Sequence, residues 1–219
     1  MINKKKFIYI NLLFITFYFL LYFYIRYHPI NNFFMAFIIS SLQGIMPILL
    51  YWKQYHSLHK LGFIKSNLSL QIIYGIICSI IVLAFVLSVY YFVLNAKISL
   101  NTASVPLSLI FLRLFMELVI IAFSEEIFWR GYLLNQLEQL KIPTLLSICI
   151  SSFLFALAHY IVNGVTNPIK AQLQLFIVPI IGFIFSIFYK KKSNFSIISL
   201  TLAHGLYNIY IKYLVIINF

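Results

Sequence analysis

The chain has 219 residues, of which 63% are hydrophobic and only 9% charged, whereas a water-soluble globular domain carries about a quarter charged residues. A net charge of +12 could suggest nucleic acid. With a mean hydropathy of +1.00, however, basic residues scattered between apolar runs argue against nucleic acid and for a bilayer with positive flanks. There is no Asp, and the only carboxylates, Glu117, Glu125, Glu126 and Glu138, lie close together in the chain.

A helix needs about 20 apolar residues to cross the hydrocarbon core, and seven stretches of this length follow one another. They run Phe7 to Tyr24, Phe33 to Trp52, Leu70 to Leu94, Leu107 to about Gln136, Pro143 to Val162, Ala171 to Tyr189 and Phe195 to Ile217. Unpaired backbone groups are not tolerated in lipid, so these stretches are predicted to be helices. The fold expected is an all-α integral membrane protein, a single bundle of about seven transmembrane helices without a soluble domain. No small-residue cleavage site follows the first apolar run, which therefore reads as an uncleaved span. Cys78 and Cys149 both fall in apolar runs and read as small core hydrophobes.

The basic residues orient the bundle. With the N-terminus in the cytoplasm, Lys4, Lys5, Lys6, Lys53, Lys60, Lys65, Arg130, Lys141, Lys190, Lys191 and Lys192 lie at inner ends. Only Arg26, Lys97, Lys170 and Lys212 lie at outer ends, and Arg113 lies within the fourth span. The topology predicted is N-in, C-out.

Ionisable groups inside the bilayer are costly, so they mark functional or tightly paired positions. The fourth span holds Arg113, Glu117, Glu125, Glu126 and Arg130. Glu126 and Arg130 are one turn apart on one helix face, roughly 40° from each other, a spacing suited to an ion pair. Glu125 points elsewhere. Arg113 and Glu117 share the one-turn spacing and are predicted to pair, while Glu138 near Lys141 reads as solvated. The fifth span carries Phe155 and His159 in FALAH, and the seventh carries His204 and Asn208 in HGLYN. His28, His56 and His59 fall between spans and read as surface groups.

Glu125, His159 and His204 fall at compatible depths if the helices tilt by the usual ~20°. A carboxylate and an imidazole sharing a buried water can make it a nucleophile. A second imidazole and a carboxamide can donate hydrogen bonds to the oxyanion formed when water adds to an amide carbonyl. Glu125 with His159 is the candidate base pair, and His204 with Asn208 the candidate oxyanion pair, a set suited to peptide-bond hydrolysis. Alternatively Glu125, His159 and His204 could bind zinc, which takes three protein ligands and a water in catalytic sites. The HExxH spacing is absent.

SEEIFWRGYL, FLFALAH and LAHGLYN, in that order on separate spans, resemble the EExxxR, FxxxH and HxxxN motifs of the CAAX protease and bacteriocin-processing (CPBP, or Abi) family of intramembrane proteases, the family of CAAX prenyl protease 2. The resemblance covers about Leu107 to Tyr210. It implies a catalytic core over residues 107–219 preceded by three further spans in 1–106. It also implies that Glu125 and His159 activate water, that His204 and Asn208 stabilise the oxyanion, that Glu126 and Arg130 hold the site together, and that Phe155 packs beside it. Trp129 departs from the usual phenylalanine and is expected to be a tolerated packing change. Both a metalloprotease and a metal-free, glutamate-activated mechanism are associated with the family. The implied substrate is a membrane-anchored protein or peptide, in CAAX-type processing or in bacteriocin maturation and self-immunity. The small size and Ile-, Phe-, Tyr-, Asn- and Lys-rich composition lean toward a bacterial plasma membrane. Two other functions fit the same residues: a non-catalytic bacteriocin immunity protein, and a small transporter or proton relay.

Overall fold

A computed structural model describes residues 4–27, 33–63, 67–101, 105–163, 168–191 and 195–218. Among these residues the chain is all-α apart from one two-stranded ribbon. The helices are α1 (Lys4–Tyr27), α2 (Phe33–Tyr55), α3 (Leu68–Val93), α4 (Leu107–Gln139), α5 (Thr144–Asn163), α6 (Pro168–Lys191) and α7 (Ile197–Ile209). His28, Lys65 and Lys192, used above in placing loops and charges, lie outside the described residues.

Local chemistry sets several of these boundaries. Asn67 caps α3 by accepting a hydrogen bond from the Ser69 amide at 2.8 Å, and Ser196 opens α7 with a reciprocal capping box to Ser199. Each cap satisfies amide donors that the first helical turn leaves without partners. The turn between α4 and α5 passes through Lys141 at φ 65°. Pro47 and Pro179 lie inside α2 and α6, where packing against neighbouring helices has to offset the missing backbone bonds.

Three helices, Leu68–Val93, Leu107–Gln139 and Thr144–Ile161, are long and apolar enough to cross a membrane, and Tyr9–Tyr24 is a shorter apolar stretch, among the described residues. Large apolar side chains such as Leu13, Ile81, Phe92, Phe153 and Phe176 face outward. The interior instead holds Gln71, Ser79, Glu117, Glu126, Arg130, Ser151, Ser152 and Ser186. An apolar exterior around a core that encloses these polar groups suits a hydrocarbon solvent, in which polar groups must find partners inside the protein.

Helix α5 packs along α6, α3 along α7, α1 on α5 and α2 on α4, and the middle of α4 faces α7. The α3–α7 contact depends on glycine, because a Cβ at Gly75 would lie 2.8 Å from both the Leu202 Cβ and the Ser199 carbonyl oxygen. Within α4 two π-helical stretches, Phe115–Ala122 and Ile127–Leu133, flank the short α-helical segment Phe123–Glu126. Such wide turns occur frequently at functional sites, and here they bracket the Glu125–Glu126 pair.

Three expectations need correction. The seventh span does not stay helical to Ile217: after π-helical turns over Tyr210–Leu214 the chain becomes strand β2 (Val215–Asn218), antiparallel to β1 (Lys97–Leu100), with Lys97 opposite Asn218. The β-branched residues Val215, Ile216 and Ile217 suit a strand, and β1 supplies the partner. Cys149 is exposed while Cys78 is buried, because Cys149 lies on the face of α5 turned away from the bundle. Glu138 is not solvated beside Lys141. It is half-buried and accepts from Lys190 Nζ at 2.5 Å, because α6 brings that ammonium to the end of α4. His56 and His59 are exposed, as read from the sequence.

Candidate active site

The motif residues on α4, α5 and α7 converge. Glu126 Oε1 accepts from the Arg130 guanidinium at 3.0 Å, and neither side chain is more than 1% exposed. The pair lies one turn apart on α4, so helix geometry alone brings it together. Tertiary packing supplies the rest of its shell. The Arg130 guanidinium lies 4.5 Å from the centre of the Phe155 ring and 3.5 Å from the Gly182 carbonyl oxygen. A Cβ at Gly182 would come within 3.3 Å of Arg130 and of Ser152, so the glycine admits the guanidinium between α5 and α6.

His204 joins this pair from α7. Its Nδ1 is 2.9 Å from Glu126 Oε1. Arg130 keeps Glu126 an acceptor-only carboxylate, so Nδ1 carries the hydrogen and Nε2 is the ring atom facing the remaining glutamate. That Nε2 is 3.7 Å from Glu125 Oε2. From α5, His159 Nδ1 lies 3.0 Å from the Phe155 carbonyl oxygen, which likewise assigns the hydrogen to Nδ1. His159 Nε2 is 3.8 Å from the same Glu125 Oε2. Two imidazoles from different helices thus aim their Nε2 atoms at one carboxylate oxygen. Glu125 Oε2 is buried and has no hydrogen-bond partner among the described residues.

Phe155 is the wall between these groups. Its ring makes edge contacts with His159 at 4.4 Å and His204 at 6.0 Å. Trp129 packs edge-on against it at 5.7 Å and is fully buried, with its backbone carbonyl accepting from Ser151 Oγ at 2.9 Å. The larger ring at this position is accommodated by close packing.

The fourth motif residue has a partner the sequence did not suggest. Asn208 Nδ2 donates to Glu117 Oε2 at 3.2 Å. Glu117 also accepts from Lys212 Nζ at 3.0 and 2.9 Å and from the Tyr213 hydroxyl at 3.1 Å. This replaces the expected Arg113–Glu117 pair; the Arg113 guanidinium instead lies 4.5 Å over the Tyr213 ring. The physical reason is competition. The end of α7 and the turns after it bring an ammonium, a phenol and a carboxamide to one carboxylate, more donors than a single same-helix neighbour offers. Lys212 could have been noticed as one turn beyond Asn208, the spacing that also separates His204 from Asn208.

Zinc requires donors about 2.0–2.2 Å from the ion. Among the described residues no preformed group of three His, Cys, Asp or Glu side chains at metal-holding spacing is found. The arrangement offers a carboxylate flanked by two imidazoles.

In comparisons with known proteins, residues 106–210 match the family model described as type II CAAX prenyl endopeptidase Rce1-like. No curated protein and no solved structure matches the chain. The matched segment covers just under half of the chain and contains the three motifs and the convergent Glu125, His159 and His204. Residues 106–210 are thus similar to the CAAX protease and bacteriocin-processing family, whose members are membrane-integral proteases.

Proposed function

We propose that the protein is an intramembrane endopeptidase that hydrolyses a peptide bond in a membrane-anchored protein or peptide with water activated by Glu125 and His159. The carrying observation is that His159 Nε2 and His204 Nε2 lie 3.8 and 3.7 Å from the same Glu125 oxygen. A water in contact with these atoms gives its proton to the Glu125–His159 pair, and its oxygen adds to the carbonyl carbon. The carbonyl oxygen becomes an oxyanion held by His204 Nε2–H and by Asn208 Nδ2–H. The C–N bond then breaks, and the abstracted proton passes to the departing amine.

This assignment has a charge consequence. Because Glu126 holds the Nδ1 hydrogen of His204, Nε2 donates only when His204 is an imidazolium. Glu126 and Arg130 therefore act as positioning residues, and Phe155 as the wall that keeps the two imidazoles apart. All seven helices cross the membrane in this reading, with the N-terminus in the cytoplasm and the C-terminus outside. Residues 107–219 form the catalytic core, and the lean is to a bacterial plasma membrane.

The test uses full-length protein in liposomes with a membrane-anchored peptide carrying a fluorophore on each side of the cleavage site. Wild type is expected to cleave it and Glu125→Gln to be inactive within detection. Equal cleavage by both would remove the Glu125 mechanism, and no cleavage by wild type would leave the non-catalytic immunity reading.

A further inference from the structure

Glu117 belongs to no family motif, yet it is the best-satisfied carboxylate in the described structure. Its side chain is only 3% exposed, and it accepts hydrogen bonds from Lys212, Tyr213 and Asn208. Resting on the oxyanion role proposed above for Asn208, we propose that Glu117 is a positioning residue that fixes which end of the Asn208 carboxamide faces the reacting carbonyl.

The argument starts from the amide itself. A carboxamide carries a donor end and an acceptor end of nearly the same shape, and only the donor end can stabilise an oxyanion. A carboxylate accepts and cannot donate, so the 3.2 Å contact with Glu117 Oε2 is compatible only with Nδ2 turned toward α4. Nδ2 has two hydrogens; one serves Glu117 and the other remains for the oxyanion. Flipping the amide would set its oxygen against an ionised carboxylate in a poorly solvated setting, where like polarity is strongly disfavoured.

Lys212 completes the device. An uncompensated carboxylate beside a developing oxyanion would oppose the reaction. The Lys212 ammonium, 2.9 and 3.0 Å from the two Glu117 oxygens, neutralises that charge, and the Tyr213 hydroxyl at 3.1 Å holds Oε1 in place. The orientation of Asn208 is thus set by a charge-balanced pair drawn from α4 and the turns that follow α7.

The experiment is a kinetic cycle on the full-length protein in liposomes with the anchored peptide, comparing wild type, Glu117→Leu, Glu117→Gln, Asn208→Ala and Glu117→Leu/Asn208→Ala. Losing one oxyanion donor costs about 10²–10³ in kcat, so Asn208→Ala is expected in that range. Glu117→Leu is expected to lower kcat by about tenfold or more with KM within about twofold, and to add nothing in the Asn208→Ala background. Glu117→Gln, which keeps the shape and can still accept from Asn208, is expected to retain most activity and serves as the folding control. Lys212→Met is expected to lower kcat, and Glu117→Gln/Lys212→Met to regain part of it by restoring charge balance. Multiplicative losses in the cycle, or a Glu117→Leu protein as fast as wild type beside a slow Asn208→Ala, would overturn the positioning role and leave the oxyanion reading intact. A wild-type rate for Asn208→Ala would overturn both.

Discussion

Helix α4 carries two carboxylate neighbourhoods that meet the same problem in opposite ways. At Glu117 both carboxylate oxygens are bonded: Lys212, Tyr213 and Asn208 all donate to it. Two turns further along, Glu126 is tied to Arg130 and His204, while its neighbour Glu125 keeps an oxygen without a hydrogen-bond partner between two imidazoles. Glu126 Oε2 also lacks a partner, but Glu126 Oε1 is committed to Arg130 and His204, whereas Glu125 Oε2 faces the Nε2 atoms of both imidazoles. A carboxylate in that position can take a proton.

The sharpest way to break that contrast is to exchange the two residues' roles in experiment. Glu125→Gln is expected to lower cleavage by about 10²–10⁴, the usual worth of a general base, measured as initial rate in liposomes, whereas Glu117→Gln keeps most of its rate. Comparable losses at both positions would end the distinction.

Stability tests the other side of the comparison. Arg130→Met leaves the fully buried Glu126 without its countercharge and is expected to cost about 3–5 kcal/mol, seen as a large drop in thermal midpoint in detergent. Lys212→Met should cost far less, because its side chain is 43% exposed and solvent screens it. Equal losses would mean that depth does not separate the two clusters.

A smaller effect is expected at the seam that holds both clusters in register. A Cβ at Gly205 would lie 2.5 Å from Leu118 Cδ2 and 3.2 Å from the Glu117 carbonyl oxygen. Gly205→Ala should therefore push α7 from α4 and cost about 1–3 kcal/mol, with a fall in kcat because His204 and Asn208 move together. An unchanged thermal midpoint and rate would show that the seam has slack. The smallest change belongs to the helix-end pair: Glu138→Gln, facing Lys190 at partial exposure, should shift stability by about 0–1 kcal/mol and leave cleavage unchanged.

The parts of this site legible in the sequence are those that depend on one helix at a time. Glu126 and Arg130 meet because residues one turn apart share a face, and Phe155 lies beside His159 for the same reason. Where partners sit on different helices the same rule misled. Arg113 and Glu117 had the right spacing, yet Glu117 bonds to residues almost a hundred positions away. The strand at Val215–Asn218 escaped notice because its apolar run reads equally well as the end of a span until β1 is seen opposite it.

Composition and hydropathic spacing alone therefore determined the apolar character of this chain and the helical class of its fold, and local residue order gave the three motifs that resemble the family's. Only the tertiary structure decided which carboxylate takes which cation and which is left to face two imidazoles. Those choices depend on how α4, α5 and α7 rotate and pack against one another, a relation that helical periodicity does not encode.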